Sequence, residues 1–462
     1  MLYYRPRVVV AGLRGGSGKT TLSLGLLRLW NLAGINVVSF KKGPDYIDAG
    51  WMTAASGNAS YNLDSFIIPQ EKLLNSYIIH SEKADVSLIE GNRGLFDGVD
   101  AYGTFSTAAL AKLINSPVIL VVDCVKTTTT IGVIVKGINE FDPDLSINGV
   151  VLNYIANDRH KNVIRQAIEH YTDVPVLGTI AKRSEAIMPE RHMGLVSQDE
   201  HGGVDSALDG ISSILSSSIE VQAIYDIACH APLIECNVVD TPKLDCDFKV
   251  NLGIIRDSAF QFYYPENLEE LVKAGANIVE LNALTNICVP DIDALYIGGG
   301  FPETNAIRLS ENAAFRNHLR ELIESGLPVY AECGGLMFLG RNIIYNNRTY
   351  TMTGIFPMDF VIESAPVAHG YTIVEVVAEN PYFPIGTVLK GHEFHYSKVV
   401  NAVQSPMVFK MKRGKGIVNG LDGIIYKNVL ATYTHLHALG ANEWAIGLIT
   451  AARREKRGGS AY

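Results

Sequence analysis

The sequence predicts an α/β protein with a doubly wound parallel sheet in its N-terminal half and a second α/β domain in its C-terminal half. Three observations support this fold class. At 462 residues, the chain is longer than one hydrophobic core usually supports. Short apolar runs alternate with stretches of helical spacing, which is typical of a parallel sheet covered by helices on both faces. The alternation fades after about residue 196 and resumes near residue 249.

The individual elements follow from these runs. Apolar runs of strand length indicate strands at 7–11, 36–40, 86–90, 117–123, 149–154 and 176–180, with helical spacing at 20–33 and 107–115. In the second half, the same criteria predict strands at 250–256, 277–280, 294–297, 328–331 and 371–378, and a helix at 313–325. A serine-rich stretch between the halves predicts one helix followed by a linker, and the residues from 453 onwards predict a frayed tail. The predicted domains are therefore 1–196, a helix and linker at 197–248, 249–445, and a tail at 446–462.

Composition and charge exclude several classes of protein. A net charge of −9 and short Lys/Arg runs argue against nucleic acid as a partner. No apolar run is long enough to span a bilayer, and the N-terminus does not have the pattern of a signal peptide. The six cysteines contain no CxxC pair, so neither a zinc site nor a disulfide framework is predicted. We expect a cytoplasmic protein that binds small molecules and no membrane; a homodimer is left open.

The first strand is followed by a glycine-rich turn, GLRGGSGKTT at 12–21, that opens an amphipathic helix. Glycines let successive backbone N–H groups converge on phosphate oxygens, and the helix dipole adds to the field. Lys19 should reach the β- and γ-phosphates of ATP, and Thr20 should bind Mg²⁺. The predicted ATP-binding residues are Gly12, Gly15, Gly16, Ser17, Gly18, Lys19, Thr20 and Thr21. Because position 13 is Leu, the spacing resembles the dethiobiotin-synthetase and ParA-like branch of phosphate-loop enzymes, with Arg14 at the place of the ParA signature lysine.

Charged residues follow the next two strands, in KKGPDYID at 41–48 and EGNRGLFDG at 90–98. In an open α/β sheet, ligands bind beyond the carboxyl ends of the strands, so these segments should face the triphosphate. Lysines there can neutralise a transferring phosphoryl group, carboxylates can hold Mg²⁺, and an arginine can clamp a substrate carboxylate. We predict contacts to substrate or phosphoryl group from Lys41, Asp45, Tyr46, Asp48, Arg93 and Asp97, and Mg²⁺ ligands from Thr20, Asp45 and Glu90.

Two of these polar residues carry alternatives. Asp97 lies near Gly94 and beside Gly98, so it could shape the turn instead of contacting substrate, and both readings stay open. Asn153 ends a later strand and is a candidate contact to the adenine of ATP.

The second half places a cysteine where an apolar strand turns into a helix, in AECGG at 331–335. Such a turn exposes the sulfur at a helix N-terminus, which favours the thiolate. His435, in YTHLH at 433–437, is the predicted base for Cys333. Backbone N–H groups of the two glycine-rich turns should stabilise the oxyanion of a tetrahedral intermediate. The predicted oxyanion hole consists of Gly299, Gly300 and Gly334.

In combination, these motifs resemble the cobyrinic acid a,c-diamide synthase family. The resemblance covers about residues 5–445 and rests also on NLD at 62–64, PERHMGL at 189–195, GGGFPE at 298–303 and GHEFHYS at 391–397. It implies a dethiobiotin-synthetase-like ATP domain joined to a class I glutaminase domain. The implied reaction is amidation of the a and c acetate groups of a corrin ring, through an acyl phosphate that ammonia attacks. Cys333 carries over as nucleophile and His435 as its activator.

Departures from the family pattern leave alternatives. The usual class I triad has Glu two residues after the His, but position 437 is His, so a Cys/His dyad with another orienting group is expected. The spacing HExH at 392–395 does not suit a zinc helix. Residues 49–51 (Ala-Gly-Trp) differ from many relatives in a segment expected near the tetrapyrrole, so nickel-sirohydrochlorin is an alternative substrate. A ParA/MinD-like nucleotide switch is the alternative from another class, but it gives no role to Cys333.

Overall fold

A computed structural model describes residues 1–183, 190–191, 194–195, 203–238, 249–401 and 405–456. The chain divides into two compact units, Met1–Asp240 and Thr241–Tyr462. Residues 189, 192 and 193 of the PERHMGL motif, residues 239–248 of the expected linker and residues 457–462 of the expected tail lie outside the described residues.

The first unit contains alternating strands and helices. Its described strands are β1 Leu2–Tyr3, β2 Arg7–Gly12, β3 Val37–Lys42, β4 Ser60–Leu63, β5 Val86–Glu90, β6 Val118–Asp123, β7 Ile147–Ile155, β8 Val176–Ala181, β9 Glu190–Arg191, β10 Gly194–Leu195 and β11 Ile234–Glu235. Its described helices are α1 Lys19–Leu32, α2 Ile47–Ser56, α3 Gln70–His80, α4 Thr107–Leu113, α5 Thr130–Phe141, α6 Asp158–Tyr171, α7 Val204–Ser218 and α8 Val221–Cys229.

Seven of these strands form one sheet in the order β4-β3-β5-β2-β6-β7-β8. Each neighbouring pair in that sheet is parallel. Parallel strands covered on both faces are mostly apolar, and every residue of β2 and of β5 is buried. The carboxyl ends of β2, β3 and β5 therefore lie side by side at one edge, which brings the three charged or glycine-rich segments together.

The segment after β8 differs from its predicted form. One helix was expected, but the structure has two, α7 and α8. Ile219 separates them because it has an extended backbone and bridges Gly178 of β8. The serines of α7 do not prevent the helix, since its apolar face packs Ile211 and Leu215 into the core shared with α1. Tertiary burial thus overrides the weak helix propensity of the serines.

Residues 49–51 also differ from expectation. They belong to helix α2, and the Trp51 side chain is fully buried in the core of the first unit. This departure from the family pattern therefore places the Trp51 side chain in the core, and the position of the segment near the macrocycle stays a prediction.

The second unit combines a parallel and an antiparallel part. Its described strands are β12 Val250–Ile255, β13 Ala276–Leu281, β14 Ala294–Ile297, β15 Val329–Glu332, β16 Asn342–Tyr345, β17 Arg348–Thr351, β18 Asp359–Ile362, β19 Ala368–Val376, β20 Val388–His395, β21 Ser397–Val400, β22 Met407–Arg413, β23 Leu421–Tyr426, β24 Val429–Thr432 and β25 His435–Leu436. Its described helices are α9 Pro265–Lys273, α10 Ala306–Glu311, α11 Ala313–Glu324, α12 Gly334–Leu339 and α13 Asn442–Lys456.

Ten of these strands form a sheet in the order β13-β12-β14-β15-β24-β23-β22-β19-β20-β25. The pairs from β13 to β24 are parallel, and the pairs from β24 to β25 are antiparallel. Strands β17, β16, β18 and β21 form a separate sheet. The turn after β15 and the short strand β25 place Cys333 and His435 in this unit.

The expected tail at 446–462 is wrong for its described part. Residues up to Lys456 continue helix α13, and Leu448 and Ala452 are fully buried. Alanine and leucine at helical spacing face the core, while the basic residues of the last turn suit the negative end of the helix dipole.

Candidate active sites

The phosphate loop connects β2 to α1 in the first unit. Gly16 and Gly18 have φ angles of 74° and 97°, which side-chain-bearing residues rarely adopt. Nζ of Lys19 donates to the backbone oxygens of Arg14 at 3.1 Å and Arg93 at 2.7 Å, so the lysine lies across the mouth of the loop. Burial lowers the pKa of Lys19, although Glu90 opposes that shift. The curled loop and its lysine form a cradle for phosphate groups.

Polar side chains from β7 brace this loop from outside. Nδ2 of Asn153 donates to the Ser17 carbonyl at 2.9 Å, and the Tyr154 hydroxyl donates to the Gly16 carbonyl at 3.0 Å. A Cβ atom on Gly18 would lie 2.0 Å from Nδ2 of Asn153. No sequence motif predicts the contact of Tyr154 with the loop. The adenine contact of Asn153 stays a prediction, and its position assigns it a role in holding the loop.

A buried ionic cluster lies at the ends of β3 and β5. Nζ of Lys41 is 2.7 Å from Oε1 of Glu90 and 2.5 Å from Oδ2 of Asp48, and 4.0 Å from Oδ2 of Asp45. The Thr20 hydroxyl donates to the same Oε1 atom of Glu90 at 2.7 Å. Burial alone would lower the pKa of Lys41, but Asp48 and Glu90 outweigh it and raise that pKa. The predicted residues from three separate segments thus converge.

The oxygen atoms of this cluster fit a hard cation. Glu90 is completely buried, and its Oε2 atom makes no hydrogen bond in the described structure. An unpaired buried carboxylate oxygen is costly, and it lies on the residue that the Thr20 hydroxyl contacts. Burial, followed by the neighbouring Asp48, raises the pKa of Asp45 to about 7. Thr20, Glu90 and Asp45 are therefore suited to Mg²⁺, which takes few protein oxygens and completes its shell with water and phosphate. Among the described residues, however, no group of three His, Cys, Asp or Glu side chains could hold a metal alone.

The remaining predicted residues of this unit lie around the cluster. Tyr46 is half-buried and directly precedes α2, and Oδ1 of Asp45 accepts a hydrogen bond from the Asp48 backbone at 2.9 Å. Arg93 is exposed, with a φ of 52°. Oδ2 of Asp97 accepts a hydrogen bond from the Gly94 nitrogen at 2.9 Å, a contact that supports the turn-shaping reading. The Arg14 guanidinium forms an ion pair with Asp123.

Cys333 lies in a strained turn of the second unit. Its φ of 47° and ψ of −95° lie outside the regions that residues other than glycine favour, and it links β15 directly to α12. Such a conformation costs about 1–3 kcal/mol and persists where the surroundings impose it. Here the Cys333 nitrogen donates to the Thr432 carbonyl at 2.7 Å. The turn has the geometry of a nucleophile elbow.

His435 contacts the cysteine. Its imidazole is 2% exposed and hydrogen-bonds the Cys333 side chain. Nδ1 of His435 lies 3.4 Å from Oε2 of Glu332, the residue that precedes the cysteine. Burial alone would lower the pKa of His435, but Cys333 and Glu332 raise it to about 10. The predicted cysteine and histidine are therefore brought together, and Glu332, which no sequence motif predicts as a site residue, lies beside them.

The predicted glycines pack against this pair. A Cβ atom on Gly299 would lie 2.5 Å from Cε1 of His435, and one on Gly334 would lie 3.0 Å from the Gly300 nitrogen. The Gly335 nitrogen donates to the Gly298 carbonyl at 3.1 Å, which joins the two glycine-rich turns. Their role as oxyanion donors stays a prediction, and these close approaches explain why larger residues would not fit.

Further histidines surround the imidazole. His392, on the neighbouring strand β20, stacks on His435 with ring centroids 4.8 Å apart, and burial lowers its pKa well below the usual range. His395, from the same HExH stretch, instead stacks on Tyr433 at 3.6 Å. Nε2 of His437, at the position where class I triads carry glutamate, lies 3.7 Å from Oε2 of Glu266. The stretch is thus a strand whose two histidines contact different rings.

Both halves match described families. Residues 8–196 match the CobQ/CobB/MinD/ParA nucleotide binding domain, and residues 251–443 match the CobB/CobQ-like glutamine amidotransferase domain. With the predicted α/β fold, these matches define a class: the chain is a ligase that uses glutamine as its nitrogen donor. Within the described residues, no helix has the length and apolar character needed to cross a membrane.

Curated relatives define the family more closely. The chain is 37% identical to a cobyrinate a,c-diamide synthase of Magnetococcus marinus, with 96% of this chain and 97% of the relative covered. It is 39% identical to one of Archaeoglobus fulgidus, with 98% of each covered, and 35% identical to one of Methanobrevibacter smithii, with 97% of this chain and 99% of the relative covered. The chain belongs to the cobyrinate a,c-diamide synthase family, as the motifs indicated.

Proposed function

We propose that this protein amidates the a- and c-acetate carboxylates of cobyrinate, using ATP to activate each carboxylate and glutamine to supply ammonia. The observation that carries the proposal is the buried Cys333–His435 pair at a strained turn. It occurs in a chain that resembles, over nearly its whole length, relatives named as cobyrinate a,c-diamide synthases.

The second unit has the groups needed to hydrolyse glutamine. The Cys333 thiolate attacks the amide carbon of glutamine, and the developing oxyanion is stabilised by N–H groups of Gly299, Gly300 and Gly334. The imidazolium of His435 gives its proton to the departing ammonia as the carbon–nitrogen bond breaks. Water then cleaves the thioester, releasing glutamate and restoring the thiol.

The first unit has the groups needed to activate a carboxylate. The substrate carboxylate attacks the γ-phosphorus of ATP, forming an acyl phosphate and releasing ADP, and ammonia then displaces phosphate to form the amide. Lys19 and the loop N–H groups stabilise the charge on the transferring phosphoryl group. Arg93 is exposed and would contact the incoming substrate carboxylate. Mg²⁺ bound by Thr20, Glu90 and Asp45 would neutralise phosphate charge.

The substrate assignment rests on the relatives. The three relatives compared above carry the same name, and their matches cover nearly all of each chain. The Ala49–Trp51 departure does not by itself distinguish the two macrocycles, because the Trp51 side chain is buried in the core. Parallel assays with cobyrinate and nickel-sirohydrochlorin test this directly. Amidation of nickel-sirohydrochlorin alone would refute the cobyrinate assignment.

The division of labour is tested with Cys333→Ser. We expect glutamine-dependent amidation to fall by at least about 10³-fold, because the hydroxyl is a poor nucleophile beside this histidine, while ammonium-dependent amidation persists. Lys19→Met serves as the complementary variant, since it should abolish amidation from either nitrogen source. Unchanged glutamine-dependent activity in Cys333→Ser would contradict the proposal.

A further inference from the structure

Glu332 is a fully buried carboxylate beside the nucleophile. It ends strand β15, and its two oxygens have different partners. Oε1 accepts a hydrogen bond from the Leu436 nitrogen at 3.0 Å, and Oε2 accepts one from the Tyr296 hydroxyl at 3.1 Å. The same Oε2 atom lies 3.4 Å from Nδ1 of His435. A carboxylate held by these hydrogen bonds in the core has a fixed direction and a fixed neighbour.

We propose that Glu332 is the positioning carboxylate of the glutaminase site, which orients His435 and stabilises its imidazolium form. This inference rests on the proposed glutaminase function and adds a third member to the Cys333–His435 pair. Glu332 thereby fills the role that class I triads give to a glutamate two residues beyond the histidine.

The residue at that usual position makes a different contact. His437 faces Glu266 of helix α9, with Nε2 and Oε2 3.7 Å apart. The Leu436 nitrogen, which lies between the two histidines in sequence, donates instead to Glu332. This hydrogen bond holds the backbone next to His435 against the Glu332 carboxylate. It therefore helps to fix the imidazole of His435 relative to that carboxylate.

The chemistry follows from this geometry. A carboxylate at Nδ1 favours the tautomer with its proton on that nitrogen, which leaves the other ring nitrogen free to take the thiol proton. Once the proton is transferred, Glu332 faces a cationic ring, and their attraction is strong because both are buried. His392 stacks on the ring without opposing it, since burial lowers the pKa of His392 and keeps it neutral. Tyr296 and Tyr330 also face Glu332, and burial raises the pKa of each, so both stay neutral.

The experiment measures the reactivity of Cys333 against pH. Iodoacetamide labelling of Cys333, followed by mass spectrometry, is compared between the wild type and Glu332→Gln, with the glutaminase kcat measured alongside. In Glu332→Gln, we expect the pH dependence of Cys333 labelling to shift to higher pH by about one unit or more. The variant loses the carboxylate that stabilises the thiolate–imidazolium pair of Cys333 and His435. The glutaminase kcat should fall by about 10²–10⁴-fold, as when the carboxylate of a triad is neutralised.

Two controls separate positioning from structure. Glu266→Gln neutralises another buried glutamate of this unit that faces a histidine, and it should leave the Cys333 labelling profile in place. Glu332→Asp keeps the carboxylate, but its side chain is shorter by one methylene, so the carboxylate lies farther from His435. The labelling profile should therefore shift in the same direction as in Glu332→Gln, but by less. If Glu332→Gln does not fold, the pH dependence of Cys333 labelling in Glu332→Asp tests the inference instead.

The outcomes are distinct. An unshifted labelling profile in Glu332→Gln, even with lower kcat, would reduce Glu332 to a structural residue and overturn the inference. An equal shift in Glu266→Gln would also overturn it, because the effect would then not be specific to the Cys333 site. A wild type without glutaminase activity would instead refute the proposed function, since the labelling profile reports the Cys333–His435–Glu332 contacts independently of turnover.

Discussion

Gly18 gives the sharpest test of how the phosphate loop is built. Its φ is 97°, and an added Cβ would lie 2.0 Å from Nδ2 of Asn153. A left-handed conformation costs a residue with a Cβ about 1–2 kcal/mol. The clash also displaces the Asn153 amide from the Ser17 carbonyl, and a lost hydrogen bond of this kind costs about 1 kcal/mol.

Gly18→Ala should therefore weaken ATP binding. If the penalty of about 2–3 kcal/mol falls on the loop conformation that binds phosphate, Kd rises by about 30- to 150-fold. Equilibrium titration with a fluorescent ATP analogue in the presence of Mg²⁺ measures this change. Gly137→Ala is the matched control, because Gly137 lies within helix α5 with open space around it. That variant should leave Kd unchanged and stabilise the unit by about 0.5–1 kcal/mol.

A double-mutant cycle isolates the clash. Asn153→Ala alone loses the bond to Ser17 and should raise Kd by about fivefold. In Gly18→Ala/Asn153→Ala the new methyl has no amide to meet, so the double variant should bind no worse than Gly18→Ala. The proposed clash would be refuted if the increase in Kd of the double variant equalled the product of the increases in the two single variants. It would also be refuted if Gly18→Ala bound ATP with a Kd within threefold of the wild type.

Two further predictions concern buried or crowded carboxylates. Asp422→Ala should destabilise the second unit by about 3 kcal/mol or more, because the Asp422 carboxylate accepts hydrogen bonds from the backbone nitrogen and the hydroxyl of Thr434 at 3.0 and 2.9 Å. Thermal unfolding tests this prediction, with Asp291→Ala as the control because Asp291 is exposed. An equal loss of stability in both variants would contradict it. The pKa of Asp45 is raised to about 7 by burial and by Asp48, so the stability linked to its protonation is full below 3.8 and is lost as the pH rises through about 7. In metal-free buffer, Tm of the wild type should fall by a few degrees between about pH 5.5 and about pH 8.5, and the same fall in Asp45→Asn would refute this assignment.

Local patterns in the sequence predicted most of the fold. Strands Val86–Glu90 and Ala294–Ile297 have the predicted bounds, because buried parallel strands are short apolar runs with polar residues at their ends. Helix α7 was not recognised as the first of two, since the residue that ends it, Ile219, does so by pairing with Gly178. A contact between residues so far apart in sequence leaves no periodic signal.

The same distinction applies to the active sites. Cys333 was predicted because its elbow is a local motif of strand, glycines and helix. Glu332 was not, although it is adjacent in sequence, because its role depends on His435 and Leu436, which reach it from a strand about a hundred residues away. Tyr154 was missed for a similar reason, since its hydroxyl reaches back to Gly16.

Each unit contains a buried glutamate at the end of a parallel strand. Glu90 ends β5 and Glu332 ends β15, and each is completely buried, which is costly for a charge unless other groups compensate it. In each case one oxygen receives donors from neighbouring segments: Oε1 of Glu90 from Thr20 and Lys41, and Oε1 of Glu332 from the backbone. The other oxygen keeps acceptor capacity, without a hydrogen bond at Glu90 and facing an imidazole at Glu332. A buried carboxylate at a parallel strand end thus provides an acceptor beside which a cation can be held, and we propose that this cation is Mg²⁺ in one unit and the imidazolium of His435 in the other.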